Sequence, residues 1–414
     1  MILQNVTHQG GVCDIQITGN RITRIAPHID TNDTDTLDCR GKAILPSFAN
    51  MHTHASMMFL RGVGADKPLM EWLNQDIWPI EAKLTADHIY ALSRFAILEM
   101  IKTGTTFFLD MYSDPQETVR AVQDMGIRAA IPYIALDFFK PEERNLRTRA
   151  ANAYLEVPAP SERIIKGLSC HAVYTCSEEL IRSFSDWAKK DNLFFHIHLS
   201  ETETEVRDCI QKYGCRPVHL MQKWGVLGDK TILAHGVHFD DSEIQIVADT
   251  RCLVAHCPTS NLKLGSGQMN LQKYLDNGVQ VALGTDGVAS NNSLSMLSEM
   301  KIAALSAKNK ADSVLAAKVD DIFRLATRAG FEAFGLDAGV IREGALADFI
   351  LVDLNSPCLL PNPNLISHMV YAADSSCITD VFCDGKPVMI NGHVAEEDEI
   401  KAEFHEVCKK LGVE

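Results

Sequence analysis

Apolar and polar positions follow two rhythms along this chain. At both ends the alternation has period two, the spacing of a half-buried strand. Residues 1 to about 43 read as short strands and turns, with Gly19-Asn20 between the alternating runs Asp14–Thr18 and Arg21–Ile25. Such a dipeptide between alternating runs predicts a hairpin. The style returns near the C-terminus. Ala347–Val352 is an apolar strand, and Thr379–Cys383 turns through Asp384-Gly385 into Lys386–Ile390. We expect 1–43 plus 341–414 to form one small composite β-sandwich domain.

Between these ends, 44–340, strands alternate with stretches of helical period. Strands are expected near 44–50, 105–110, 127–135, 164–170, 193–198, 231–235, 251–256 and 279–284. Thr85–Lys102 is the clearest helix: Ile89, Leu92, Ala96 and Met100 share a face, Phe95 lies beside them, and Gly104 ends it. Gln116–Met125, Glu178–Lys190, Glu203–Tyr213, Asp241–Ala248 and Leu294–Ala307 have the same character. Strands separated by helices predict an α/β fold, a (β/α)₈ TIM-like barrel carrying the small sandwich.

Composition narrows the class. Hydrophobic residues make up 46% and charged residues 22%, as in globular soluble proteins. A net charge of −15 argues against nucleic acid and against an anionic membrane surface. The 12 cysteines are scattered with no C-x-x-C pair, and the N-terminal residues lack a basic region and an apolar run. Reduced thiols in the cytoplasm are the expectation, with no membrane span. A homo-oligomer stays open, with 136–160 as a surface available to a neighbour.

The chemistry lies in metal-binding side chains at predicted strand ends. His52-Thr53-His54 ends the first strand, His198 the fifth and His235 the sixth, and Asp286 follows the eighth. Barrel active sites are built at those ends. A His-x-His on a strand puts both rings on one face. His52, His54, His198 and Asp286 form a ligand set for one divalent metal, with Zn²⁺ as the default and Fe²⁺, Mn²⁺ or Ni²⁺ also accepted. No lysine ends the fourth strand, where the residues are Ser169-Cys170-His171, so a bridged second metal is not expected. Glu201 lies three residues past His198, placed to move a proton. Its bland reading is a surface glutamate in the run Glu201, Glu203, Glu205. His235 orients or polarises the nucleophile, and Asp286 serves as ligand and as acceptor. His196 reads as a deeper core group, His256 as a pocket wall, and His238, His219 and His88 as solvated or capping residues. Ser260–Gly267 reads as a polar loop without phosphate-loop spacing.

Five stretches carry a family resemblance: Asn50–Gly62 (NMHTHASMMFLRG), Leu69–Thr85 (LMEWLNQDIWPIEAKLT), His198–Thr202 (HLSET), His256–Gly267 (HCPTSNLKLGSG) and Gly284–Leu294 (GTDGVASNNSL). They resemble the amidohydrolase superfamily and, more narrowly, the 5′-methylthioadenosine/S-adenosylhomocysteine deaminases. The resemblance implies that Glu81 holds ribose hydroxyls, that His171 contacts substrate and that Trp72 lies against the 5′ substituent. It also exposes a departure. Members that take S-adenosylhomocysteine use arginines after the third strand, where this chain reads Ile134-Ala135-Leu136-Asp137. Arg144, Arg147 and Arg149 follow, with Arg147 the candidate substitute.

The expectation is therefore a metal-dependent hydrolytic deaminase of a 6-aminopurine nucleoside: methylthioadenosine, S-adenosylhomocysteine, adenosine or 5′-deoxyadenosine. Glu201 moves the proton from water to purine N1, and His235 and Asp286 hold the nucleophile. The competing readings are an aminohydrolase of guanine, a pterin or a triazine, a cyclic-amide hydrolase, and a metal-binding barrel without catalysis.

Overall fold

A computed structural model describes residues 1–30, 35–64, 67, 71 and 73–413. Two eight-stranded sheets organise it. The first contains β1 (Ile2–His8), β2 (Gly11–Thr18), β3 (Arg21–Ala26), β4 (Thr36–Asp38), β5 (Lys42–Pro46), β14 (Phe349–Asp353), β15 (Ile378–Cys383) and β16 (Lys386–Met389). Its order is β16-β15-β14-β5-β1-β2-β3, with β4 beside β1. Both ends of the chain thus share one sheet, as the period-two rhythm predicts. The edge strand β3 also meets the segment leading into β14: Ala347 N–H donates to the Asn20 carbonyl at 2.8 Å and Ile22 N–H to that of Ala345 at 2.9 Å. Leu3, Ile15, Ile22, Ile44, Phe349 and Phe382 are buried inside this closed sandwich.

The second sheet is the barrel: β6 (Phe48–Thr53), β7 (Thr105–Asp110), β8 (Arg128–Ala135), β9 (Ile164–Cys170), β10 (Phe194–Leu199), β11 (Thr231–His235), β12 (Leu253–His256) and β13 (Gln280–Leu283). All seven neighbouring pairs are parallel and follow chain order. The strand expected at 44–50 divides. Lys42–Pro46 belongs to the sandwich, and the barrel begins at Phe48, so the chain changes sheets at Ser47. Pro46 has no N–H to continue a ladder, which suits a strand end.

Side chains close the ring between β6 and β13. Asn50 accepts from Thr285 N–H at 2.9 Å and donates to Thr285 Oγ1 at 2.7 Å. Asp286 N–H donates to the His52 carbonyl at 2.8 Å. Gly284 permits this approach, because a Cβ there would lie 2.7 Å from the His52 backbone nitrogen and 2.9 Å from its Cβ.

The helix Ala86–Lys102 starts at Thr85, whose hydroxyl caps His88 N–H, and buries the predicted face. A C-terminal helix, Glu397–Leu411, packs on it outside the sandwich sheet. Phe404 stacks on Phe95 with centroids 3.9 Å apart. Buried Arg94 donates to Glu403 at 2.8 Å and to Glu396 at 2.5 Å. Among the described residues no helix is long and apolar enough to cross a membrane.

Arg128 at the start of β8 ties the barrel to the sandwich. Its Nε lies 2.6 Å from Asp348 Oδ2, and its Nη2 donates to Asp384 in the β15–β16 turn. Arg128 and Asp348 are both buried. Removing one member of such a pair strands the other charge. Arg128→Ala should therefore cost about 3–5 kcal/mol, read from urea unfolding at fixed metal. A loss below about 1 kcal/mol, the range of an exposed pair, would refute the clamp.

Candidate active site

Each predicted ligand sits where β6, β10 or the turn after β13 opens at the barrel mouth. Asp286 Oδ1 lies 3.1 Å from His54 Nε2 and 3.4 Å from His52 Nε2. His198 Nε2 is 3.2 Å from His52 Nε2. The potential ligand atoms of His52, His54 and His198 fall within 4.8 Å of one another, and so do those of His52, His235 and Asp286. His52, His198, His235 and Asp286 are buried, and His54 is half-buried.

The backbone sets the tautomers. His54 Nδ1 lies 2.6 Å from the Met111 carbonyl, and His198 Nδ1 lies 2.8 Å from the His171 carbonyl. A carbonyl only accepts, so each Nδ1 carries its proton and each Nε2 turns a lone pair inward. Asn261 Oδ1 holds His235 Nδ1 at 2.9 Å in the same way. Inward lone pairs crowded beside a carboxylate repel unless a cation lies among them. The donor set, three imidazoles and a carboxylate, fits a divalent metal such as Zn²⁺.

Electrostatics agree with the geometry. Burial disfavours charge on Asp286, but the hydrogen bonds and charge of His52 and His54 hold its carboxyl well below the usual range. Burial works against protonated His54, yet Asp286 overrides it and raises that ring to about 9. In His52 burial wins and the ring drops to about 4.

Glu201 is buried at this mouth, 3.9 Å from His235 Nε2. Ser266 Oγ donates to its Oε1 at 3.4 Å. Burial raises its pKa, against the opposing pull of His235. A carboxyl raised in this way suits proton transfer near neutrality. Its burial also excludes the bland surface reading. Glu205 of the same run accepts the Ser200 and Glu201 N–H groups at 2.8 Å each, which fixes the loop that carries Glu201.

The residues implied by resemblance divide. Glu81 approaches the cluster: it accepts from Tyr112, next to the Met111 that orients His54, and burial raises its pKa. The His171 ring lies 4.8 Å from the His198 ring. Its Nδ1 is 2.9 Å from Thr175 Oγ1, whose proton faces the Ala172 carbonyl. His171 Nδ1 therefore donates, and its Nε2 is left as an acceptor. Burial lowers this ring to about 3, so it stays neutral. Arg147 pairs instead with Glu143 at 3.3 Å on the helix Pro141–Glu156, and no contact joins it to the cluster among the described residues. Trp72 lies outside the described residues.

The discounted groups also resolve. Lys166 turns away from the barrel interior and donates to the Tyr154 and Val157 carbonyls at 2.7 and 2.5 Å. The His196 ring packs 5.0 Å from that of His52. His256 is buried, and His238 binds the Ser266 carbonyl at 2.6 Å. The stretch read as a loop from Ser260 is partly helical: Pro258–Lys263 forms a short helix that delivers Ser260 and Asn261 to the site. Sequence reasoning missed Asn261, Ser260, Ser290 and Tyr112. Ser260, Asn261 and Ser290 lie inside the quoted motifs, whereas Tyr112 carries no signal beyond its place after the second predicted strand.

Comparison with known proteins identifies the family. The sequence profile of the Amidohydrolase family matches residues 43–388. A 5-methylthioadenosine/S-adenosylhomocysteine deaminase of Thermococcus sibiricus is 43% identical over 91% of this chain and 89% of its own length. A 5′-deoxyadenosine deaminase of Methanocaldococcus jannaschii is 39% identical over 97% and 96%. The crystal structure of an adenosine deaminase from Xanthomonas campestris with bound zinc superposes with a TM-score of 0.91 at 30% identity, covering 97% of this chain and 94% of that one. The matched span takes in every strand that carries a candidate ligand, and the chain belongs to the amidohydrolase family.

Proposed function

We propose that this protein hydrolytically deaminates a 6-aminopurine nucleoside, giving the inosine analogue and ammonia, with one divalent metal, Zn²⁺ by preference. The observation that carries the reading is Glu201, buried beside His235 at the edge of the ligand cluster. A non-catalytic metal barrel has no need of a buried carboxyl there. The relatives named for methylthioadenosine, S-adenosylhomocysteine and 5′-deoxyadenosine support the substrate class.

His52, His54, His198 and Asp286 would hold the ion, which when bound acidifies water at the site. Glu201 takes a proton from the attacking water and delivers it to purine N1, making C6 electrophilic. His235, with Nδ1 committed to Asn261, turns its Nε2 lone pair to the water's other hydrogen and aims the oxygen at C6. Glu201, emptied by that delivery, takes the second proton from the hydroxyl now on C6 and passes it to the amino group. The C6–N bond breaks, ammonia leaves, and a C6 carbonyl remains. Glu81 and His171, both hydrogen-bond acceptors at the mouth, take the ribose hydroxyls.

The 5′ end favours a small uncharged group. Asp137 is buried and bound by Ser177, while Arg144 and Arg147 already face Glu179 and Glu143. Methylthioadenosine, adenosine and 5′-deoxyadenosine therefore rank above S-adenosylhomocysteine. All 12 cysteines are free, which fits a reducing cytoplasm.

The test is ammonia release by the zinc-loaded protein from these four nucleosides, guanine and cytosine. Turnover confined to the free bases would sink the proposal. Glu201→Gln should keep the metal and lose a factor of about 10²–10⁴ in kcat; full activity would remove Glu201 from the chemistry. Asn261→Ala releases the His235 tautomer and should lower kcat about 10–100-fold, whereas a change confined to KM would refute the orienting role.

A further inference from the structure

The Asp286 carboxylate is gripped from behind by two hydroxyls from different loops. Ser260 Oγ, on the short helix after β12, lies 2.6 Å from Asp286 Oδ2. Ser290 Oγ, on the helix Val288–Asn291 after β13, lies 2.8 Å from the same oxygen. Both serines are buried. The Ser290 proton also has the Gly287 carbonyl at 3.0 Å, but a carboxylate is the stronger acceptor. Two hydroxyls thus converge on Oδ2. The other oxygen, Oδ1, accepts Gly287 N–H at 2.9 Å and faces His52 and His54.

The supports are themselves braced. Glu299 is buried and accepts from Asn291 Nδ2, and that same amide donates to the Thr285 carbonyl at 2.7 Å. Thr259 N–H, beside Ser260, lies 3.4 Å from the other Glu299 oxygen. The backbone N–H of Asp286 is fixed on His52, and its φ is 64°, so main chain and side chain are both constrained. A carboxylate held in this way cannot rotate to present both oxygens.

We infer that Ser260 and Ser290 are positioning residues that restrict Asp286 to offering a single oxygen to the metal. This rests on reading the histidine–aspartate cluster as a metal site. A second ligating oxygen would fill the coordination position that water needs, so the two hydroxyls keep the site open to its nucleophile.

The experiment compares wild type with Ser260→Ala, Ser290→Ala, the double variant and Ser290→Thr, which retains the hydroxyl. Zinc affinity is measured by chelator competition. The visible absorption of the cobalt-substituted proteins reports coordination number, since d–d bands weaken as coordination rises. Metal-free unfolding midpoints control for structural damage. Each alanine variant should bind zinc about 10-fold or more weakly, at an unchanged metal-free midpoint. The double variant should show weakened cobalt bands, and Ser290→Thr should match wild type. Wild-type zinc affinity and an unaltered cobalt spectrum in the double variant would overturn the inference. So would an affinity loss matched by a fall in metal-free stability. Nucleoside turnover by wild type is read separately. Serine-dependent zinc binding without any turnover would uphold the positioning role and fail the deaminase reading.

Discussion

The whole site depends on closing the barrel where its first strand meets its last. Seven neighbouring pairs form by ordinary parallel ladders, but the eighth contact relies on Asn50, Thr285 and the bond from Asp286 N–H to the His52 carbonyl. That bond is both the seam of the ring and the link between two ligand residues. It forms only because Gly284 lacks a side chain, which lets β13 lie against His52. Closure and ligand geometry are therefore one event. A barrel left open at the seam would separate Asp286 from His52 and His54.

Around that seam the rigidity comes from groups that take no part in chemistry. Main-chain carbonyls of Met111 and His171 fix two imidazoles, and Asn261 fixes a third. Because the interior excludes water, each of these bonds is strong and each unmade one is expensive. The buried carboxyls divide by their partners. Asp286, beside two imidazoles, stays ionised, whereas Glu201 is pushed toward its neutral form. One mouth thus holds a permanent anion to bind a cation and a titrating acid to move protons.

Much of this was legible in the sequence, for physical reasons. Period-two runs and the turns Gly19-Asn20 and Asp384-Gly385 marked the sandwich hairpins, because only those residues tolerate such turns. The barrel strands appeared as short apolar runs, and the ligands were visible because metal chemistry admits few residue types. The passage at Ser47 was hidden, since Ala43–Phe48 is a nearly continuous apolar run whose two halves are buried in different sheets. The helix Pro258–Lys263 is too short for a helical period to show. The orienting carbonyls belong to residues whose side chains say nothing about their backbone role. Serines such as Ser260 and Ser290 look like any polar turn until their partner is placed beside them.

The C-terminal helix carries a consequence for how the protein is made. Phe404 and Arg94 join Glu397–Leu411 to the helix Ala86–Lys102, and that helix packs with Phe59 and Leu60 in the segment leaving His54. The sandwich likewise needs β14 to pair with β5 and the segment before it to meet β3. On a ribosome, the strands that carry the ligands emerge before the segment that braces them. The nascent barrel keeps an unsupported flank until Glu397–Leu411 has been made. A fragment ending before that helix would hold every candidate ligand without this brace.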